Sequence, residues 1–153
     1  MSLALNLEQV EAALKGELFE LLKERKDALD FLKYYIDYCH MIDDLVDEDK
    51  NIELVRQTSK QAAIVFNCPY WKQWGANLYL VDRITHNTYF DSVVWEKSEE
   101  EWKRRDARAL NHCAYNMLFA IILIEFGEAK LQEISGKYRE FAHAKQLKED
   151  GTI

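Results

Sequence analysis

The chain has 153 residues and 18.1 kDa, and 48% of it is apolar, which suits one hydrophobic core and excludes a disordered segment. One proline and five glycines leave too few turn residues for an all-β fold. A net charge of −7 and a pI near 5.1 argue against nucleic-acid binding by phosphate neutralisation.

Apolar residues recur with helical spacing along almost the whole chain, with no internal repeat and no linker. This predicts a single all-α domain over 1–153, a compact bundle of about six helices, with 1–5 and 149–153 frayed. The first helix is expected from Asn6 to Glu24, with Leu7, Val10, Leu14, Leu18, Leu21 and Leu22 as its stripe. The second, capped by Asp27, continues to Asp47. Its apolar face carries Phe31, Leu32, Tyr35, Tyr38, Cys39, Ile42 and Val46. Asp30, Asp37, His40, Asp44 and Asp47 lie opposite, with Asp43 at the boundary. The third helix is expected from Asn51 to Phe66, where Asn67-Cys68-Pro69 breaks it.

The fourth, Tyr70 to Trp95, is apolar on all sides, which predicts a buried central helix. It nevertheless contains Asp82, His86, Asn87 and Asp91, in two pairs spaced i,i+4. Burying an unpaired polar group costs roughly 1–3 kcal/mol, so these residues need partners, a water-filled cleft or a ligand. Ser98 and Glu101 have capping-box spacing for a fifth helix ending near Gly127. The last helix carries Leu131, Ile134, Tyr138, Phe141 and Ala142 on one face.

Cys39, Cys68 and Cys113 are odd in number and set in apolar segments, as expected of reduced thiols in a cytoplasmic protein. No cleavable signal pattern follows Met1. The apolar run Met117 to Ile124 is far below the ~20 residues of a membrane span, so a core segment is expected. Two long helices without a clean polar face, Trp71 to Trp95 and Cys113 to Phe126, point to a homo-oligomer, with a dimer favoured.

Asp43-Asp44-Leu45-Val46-Asp47-Glu48-Asp49 places five carboxylates in seven residues. Acids three or four apart share a helix face and can hold a hard divalent cation between them. They also stand at the negative end of the helix dipole, unfavourable by about 0.3–1 kcal/mol each. A cation there offsets that repulsion, whereas the plainer alternative is a solvated face.

The segment Tyr38-Cys39-His40-Met41-Ile42-Asp43-Asp44-Leu45-Val46-Asp47-Glu48 resembles the first aspartate-rich motif of trans-isoprenoid synthases, especially the squalene/phytoene branch. That resemblance implies Mg2+ held by Asp43, Asp44 and Asp47 and bridged to a substrate diphosphate. The family has about twice this length and a second aspartate-rich motif. The nearest counterparts here are Asp82-x-x-x-His86 and Asn87-x-x-x-Asp91, which depart from it.

In size and helical architecture the chain also resembles the all-α nucleoside-triphosphate pyrophosphohydrolases. Those bind magnesium through Glu-x-x-Glu and Glu-x-x-Asp pairs on neighbouring helices. Asp44-Leu45-Val46-Asp47 would be a variant second pair, with Glu17-Leu18-Phe19-Glu20 or Glu8-Gln9-Val10-Glu11 as the first.

The acids of Glu99-Glu100-Glu101 each find a base four residues on, which makes that block a self-paired solvent face. No phosphate-cradling glycine loop or nucleophile triad is present. The sequence therefore leads to two expectations. One is a magnesium-dependent protein that binds, hydrolyses or transfers a diphosphate-containing small molecule. In it Asp43, Asp44 and Asp47 are ligands, and His40, Asp82, His86, Asn87 and Asp91 line the pocket. The alternative is a non-catalytic homo-oligomeric structural or adaptor protein.

Overall fold

A computed structural model of the chain describes residues 7–48 and 51–151. They form α1 (Leu7–Leu22), α2 (Lys26–Asp47), α3 (Ile52–Val65), α4 (Pro69–Glu96), α5 (Glu101–Leu110), a 3-10 turn (Asn111–Ala114), α6 (Tyr115–Phe126) and α7 (Glu128–Glu149). The run Glu101–Phe126 continues through the 3-10 turn, so α5 and α6 together are the fifth predicted helix. No strand occurs among the described residues, and the all-α fold of six helical runs is as expected.

Local chemistry accounts for several helix ends. The Asn51 side chain accepts from Leu54 N at 3.0 Å and caps α3. Pro69 opens α4, where a missing N–H is harmless. Gly127, at φ 84°, ends α6 and starts α7 in a conformation that favours glycine.

Two expected caps are not formed. Asp27 lies in the first turn of α2, which starts from Arg25 without a side-chain cap. Ser98 Oγ accepts from Glu100 N at 3.2 Å, a local turn, and α5 starts after Glu100. Arg104 holds that turn by donating to the carbonyls of Ser98 and Glu99, both at 2.7 Å.

The chain divides into two compact units. Leu22–Asp82 contains α2, α3 and the first half of α4. Its core is aromatic: the Phe31 ring lies 5.6–6.0 Å from those of Tyr35, Tyr70 and Trp71. Phe66 meets Trp71 edge-on at 4.8 Å and Tyr38 at 5.5 Å. Gln61 donates to the Tyr34 carbonyl at 2.9 Å, tying α3 to α2.

Among the described residues, the second unit combines 7–21 with 83–151. Gly127 is the only residue between α6 and α7, which pack together as a hairpin. Met117, Leu118, Phe119, Ile121 and Ile122 of α6 are buried, with Tyr138, Phe141 and Ala142 of α7. Tyr138 stacks edge-on to Tyr115 at 5.5 Å and donates its hydroxyl to the Leu14 carbonyl of α1 at 3.1 Å. Arg108 of α5 pairs with Asp150 beyond α7.

The expectation of a fourth helix enclosed on all sides needs correction. Tyr70, Leu78, Asp82, Thr85, His86 and Ser92 of α4 are buried, but Leu80 and Ile84 are 63% exposed and Val94 69%. A helix apolar on every side gives no signal of which sector its neighbours cover, and here they cover one side only. The run Glu101–Phe126 is the one stretch among the described residues long and apolar enough to cross a membrane. Its uncharged-rich part, the 12 residues of α6, reaches about 18 Å against the roughly 30 Å of a hydrocarbon core.

Candidate functional site

Within Leu22–Asp82, the polar centre of the core is Asp82, only 2% exposed, whose Oδ1 accepts from the Tyr35 hydroxyl at 3.1 Å. Burial above all, with the Cys39 thiol and the Asp82 carboxylate nearby, pushes the Tyr35 phenol far above its ordinary pKa. Tyr35 is therefore a permanent donor. Its chemistry here is to hold a buried carboxylate between α2 and α4, meeting the need for a partner that the sequence raised for Asp82.

The acidic cluster stands elsewhere on α2. Asp43, Asp44 and Asp47 are exposed, as is His40. Asp44 follows Tyr35 by nine residues, about half a turn round the helix, so it points away from the Tyr35–Asp82 pair. The Asp44 carbonyl accepts from Glu48 N at 2.9 Å, and the Glu48 carboxylate accepts from Asn51 Nδ2 at 2.7 Å. Asp49 lies outside the described residues. Among the described residues no three His, Cys, Asp or Glu side chains converge as metal ligands.

The other predicted residues of α4 belong to the second unit and divide between two faces. His86 is 7% exposed, its ring 6.4 Å from that of Phe90. Asn87 and Asp91 are exposed, and Asn87 Nδ2 donates to Asp91 Oδ2 at 3.2 Å. Four residues apart, Asn87 and Asp91 thus pair with one another on the helix surface. On the buried face, the Ser92 hydroxyl lies between the Tyr89 carbonyl and the Asn111 side-chain oxygen. Asn111 Nδ2 in turn donates to Glu96 at 2.9 Å, anchoring the 3-10 turn to α4.

Two further groupings have no sequence signal beyond helical spacing. His112 is half-buried near His143 and Glu149 of α7. Burial, then His143, depresses its pKa, and Glu149 opposes them. A shallow groove of about 490 Å³ runs between α1 and α7 over Leu18, Leu21, Ile134 and Tyr138. The bond between Lys137 and Glu17, at 3.5 Å, crosses it. Glu17, proposed from sequence as part of a metal pair, is thus engaged with a lysine of α7. Cys68 and Cys113 are buried and Cys39 half-buried, with burial raising the Cys113 thiol.

Comparison with protein families, curated proteins and solved structures gives no match to this chain.

Proposed function

We propose that this protein works by assembly with copies of itself, as a homo-oligomeric structural or adaptor protein. The observation that carries this reading is the apolar surface of α4, where Leu80, Ile84, Phe90 and Val94 are each about half exposed or more. Large apolar side chains grouped on one helix face are characteristic of interaction surfaces. The polar residues of the same helix fit the reading, because Asp82 is engaged inside the unit by Tyr35 and Asn87 with Asp91. Light scattering at micromolar concentration tests it. A mass of at least twice 18.1 kDa is expected, and a monomer overturns the reading.

A second reading rests on α2. Asp43, Asp44 and Asp47 are exposed over its last turns, and no basic residue accompanies them in the final one. In this reading they hold Mg2+ and, through it, a diphosphate group. Its test is a melting-temperature gain with millimolar magnesium and pyrophosphate. Asp44→Asn/Asp47→Asn abolishes the gain if the cluster binds, because binding to the folded form stabilises it. Equal shifts in both proteins, or none in either, remove this reading.

A further inference from the structure

The exposed face of α4 has a self-complementary order centred on Asn87. Arg83 and Asp91 lie four residues to either side of it, Ile84 and Phe90 three, and Leu80 and Val94 seven. Spacings of three, four and seven keep all of them on one side of a helix. All seven are exposed. Arg83 to Val94 belongs to one unit, and Leu80 lies one turn earlier on the same uninterrupted helix.

We propose that α4 pairs with α4 of a second copy, antiparallel and crossing at Asn87. This rests on the self-association reading above and assigns its surface. A two-fold axis through Asn87 sets Arg83 opposite the partner copy's Asp91, Ile84 opposite its Phe90, and Leu80 opposite its Val94. Each pair occurs twice, as an isologous interface requires.

The charges are complementary in this orientation. In a parallel pairing in register, Arg83 meets Arg83 and Asp91 meets Asp91, so the same face disfavours that arrangement. Asp91 Oδ2 accepts from Asn87 of its own chain at 3.2 Å, and a carboxylate has lone pairs for a second donor. At the crossing point two Asn87 amides each offer a donor and an acceptor. A polar residue at the centre of a helix pair fixes register at some loss of stability.

Charge exchange tests the pairing by sedimentation or light scattering across a dilution series. Arg83→Asp and Asp91→Arg are each expected to raise the dimer Kd at least tenfold. Arg83→Asp/Asp91→Arg, which restores both pairs in the opposite sense, is expected to recover most of the loss. A second arm does not depend on the charges. Asn87→Cys places two thiols at the axis and is expected to give a disulfide-linked dimer on mild oxidation, which Gln73→Cys, about four turns away, does not.

A native protein that is monomeric throughout overturns the self-association reading and this inference with it. A native oligomer that ignores the single exchanges and does not cross-link at position 87 leaves that reading standing and overturns the α4 pairing. Failure of the double exchange to recover association, with no cross-link, has the same meaning.

Discussion

Tyr35 differs from phenylalanine by one oxygen, and that oxygen decides whether the Asp82 carboxylate keeps its partner on α2. Tyr35→Phe is expected to destabilise the protein by about 1.5–3 kcal/mol in urea unfolding, the range for a hydrogen bond to a charged, buried group. Pairing it with Asp82→Asn in a double-mutant cycle should show coupling, since the two side chains touch; independent effects would contradict the bond. The helical glycines give a contrast in sign. A methyl group at Gly16 or Gly136 meets nothing within 4 Å, so alanine there should stabilise by roughly 0.5–1 kcal/mol through helix propensity. At Gly75 the added carbon comes within 2.9 Å of the Trp71 indole, which packs edge-on against Phe66. Gly75→Ala should lose that gain and destabilise instead. Helical spacing places Tyr35 and Trp71 on core faces, but does not tell which distant residue the hydroxyl reaches or where the indole lies.

Among the elements, the α6–α7 hairpin and the end of α2 make opposite demands on charge. His112 sits against α7 with its pKa lowered, by burial first and then by His143. The unfolded chain, with an ordinary histidine pKa near 6.5, then binds more protons than the folded chain as the medium acidifies. The associated stability is present above pH about 6.5 and is lost as pH falls from there through the lower folded-state pKa. Urea midpoints at pH 7.5 and 5.5 should therefore differ less for His112→Gln than for the native protein. An equal difference would remove His112 as the source. At the end of α2, Asp44→Asn or Asp47→Asn relieves repulsion with the negative helix terminus and should stabilise the metal-free protein by about 0.3–1 kcal/mol each. The sequence revealed this cluster fully, because it is contiguous. The influence of His143 on His112 was not legible, because the two lie in different helices brought near by packing.

For the molecule as a whole, association couples stability to concentration. If copies join through their folded form, the melting temperature should rise with protein concentration between about 1 and 100 μM, because mass action favours the bound native state. A concentration-independent transition would count against assembly. Ile121 refines where such an interface can lie. The apolar run of the fifth predicted helix offered itself as an oligomer surface equally with that of the fourth. Ile121 and Ile122 are in fact fully buried. Ile121→Glu therefore tests folding, and Ile84→Glu, on the exposed face of α4, tests association.

Helix number, type and approximate limits were legible in the chain itself, since 3.6-residue periodicity, Asn51, Pro69 and Gly127 act over a few neighbouring residues. The acidic cluster was legible for the same reason. Packing alone decided that Asp82 meets Tyr35, and that α4 is covered on one side while Ile121 and Ile122 of α6 are enclosed. These outcomes depend on which apolar surface finds which partner across tens of residues, and an α4 apolar on every side is compatible with several. Hydrophobic burial is non-directional, so the pattern within one helix fixes what must be covered but leaves open what covers it.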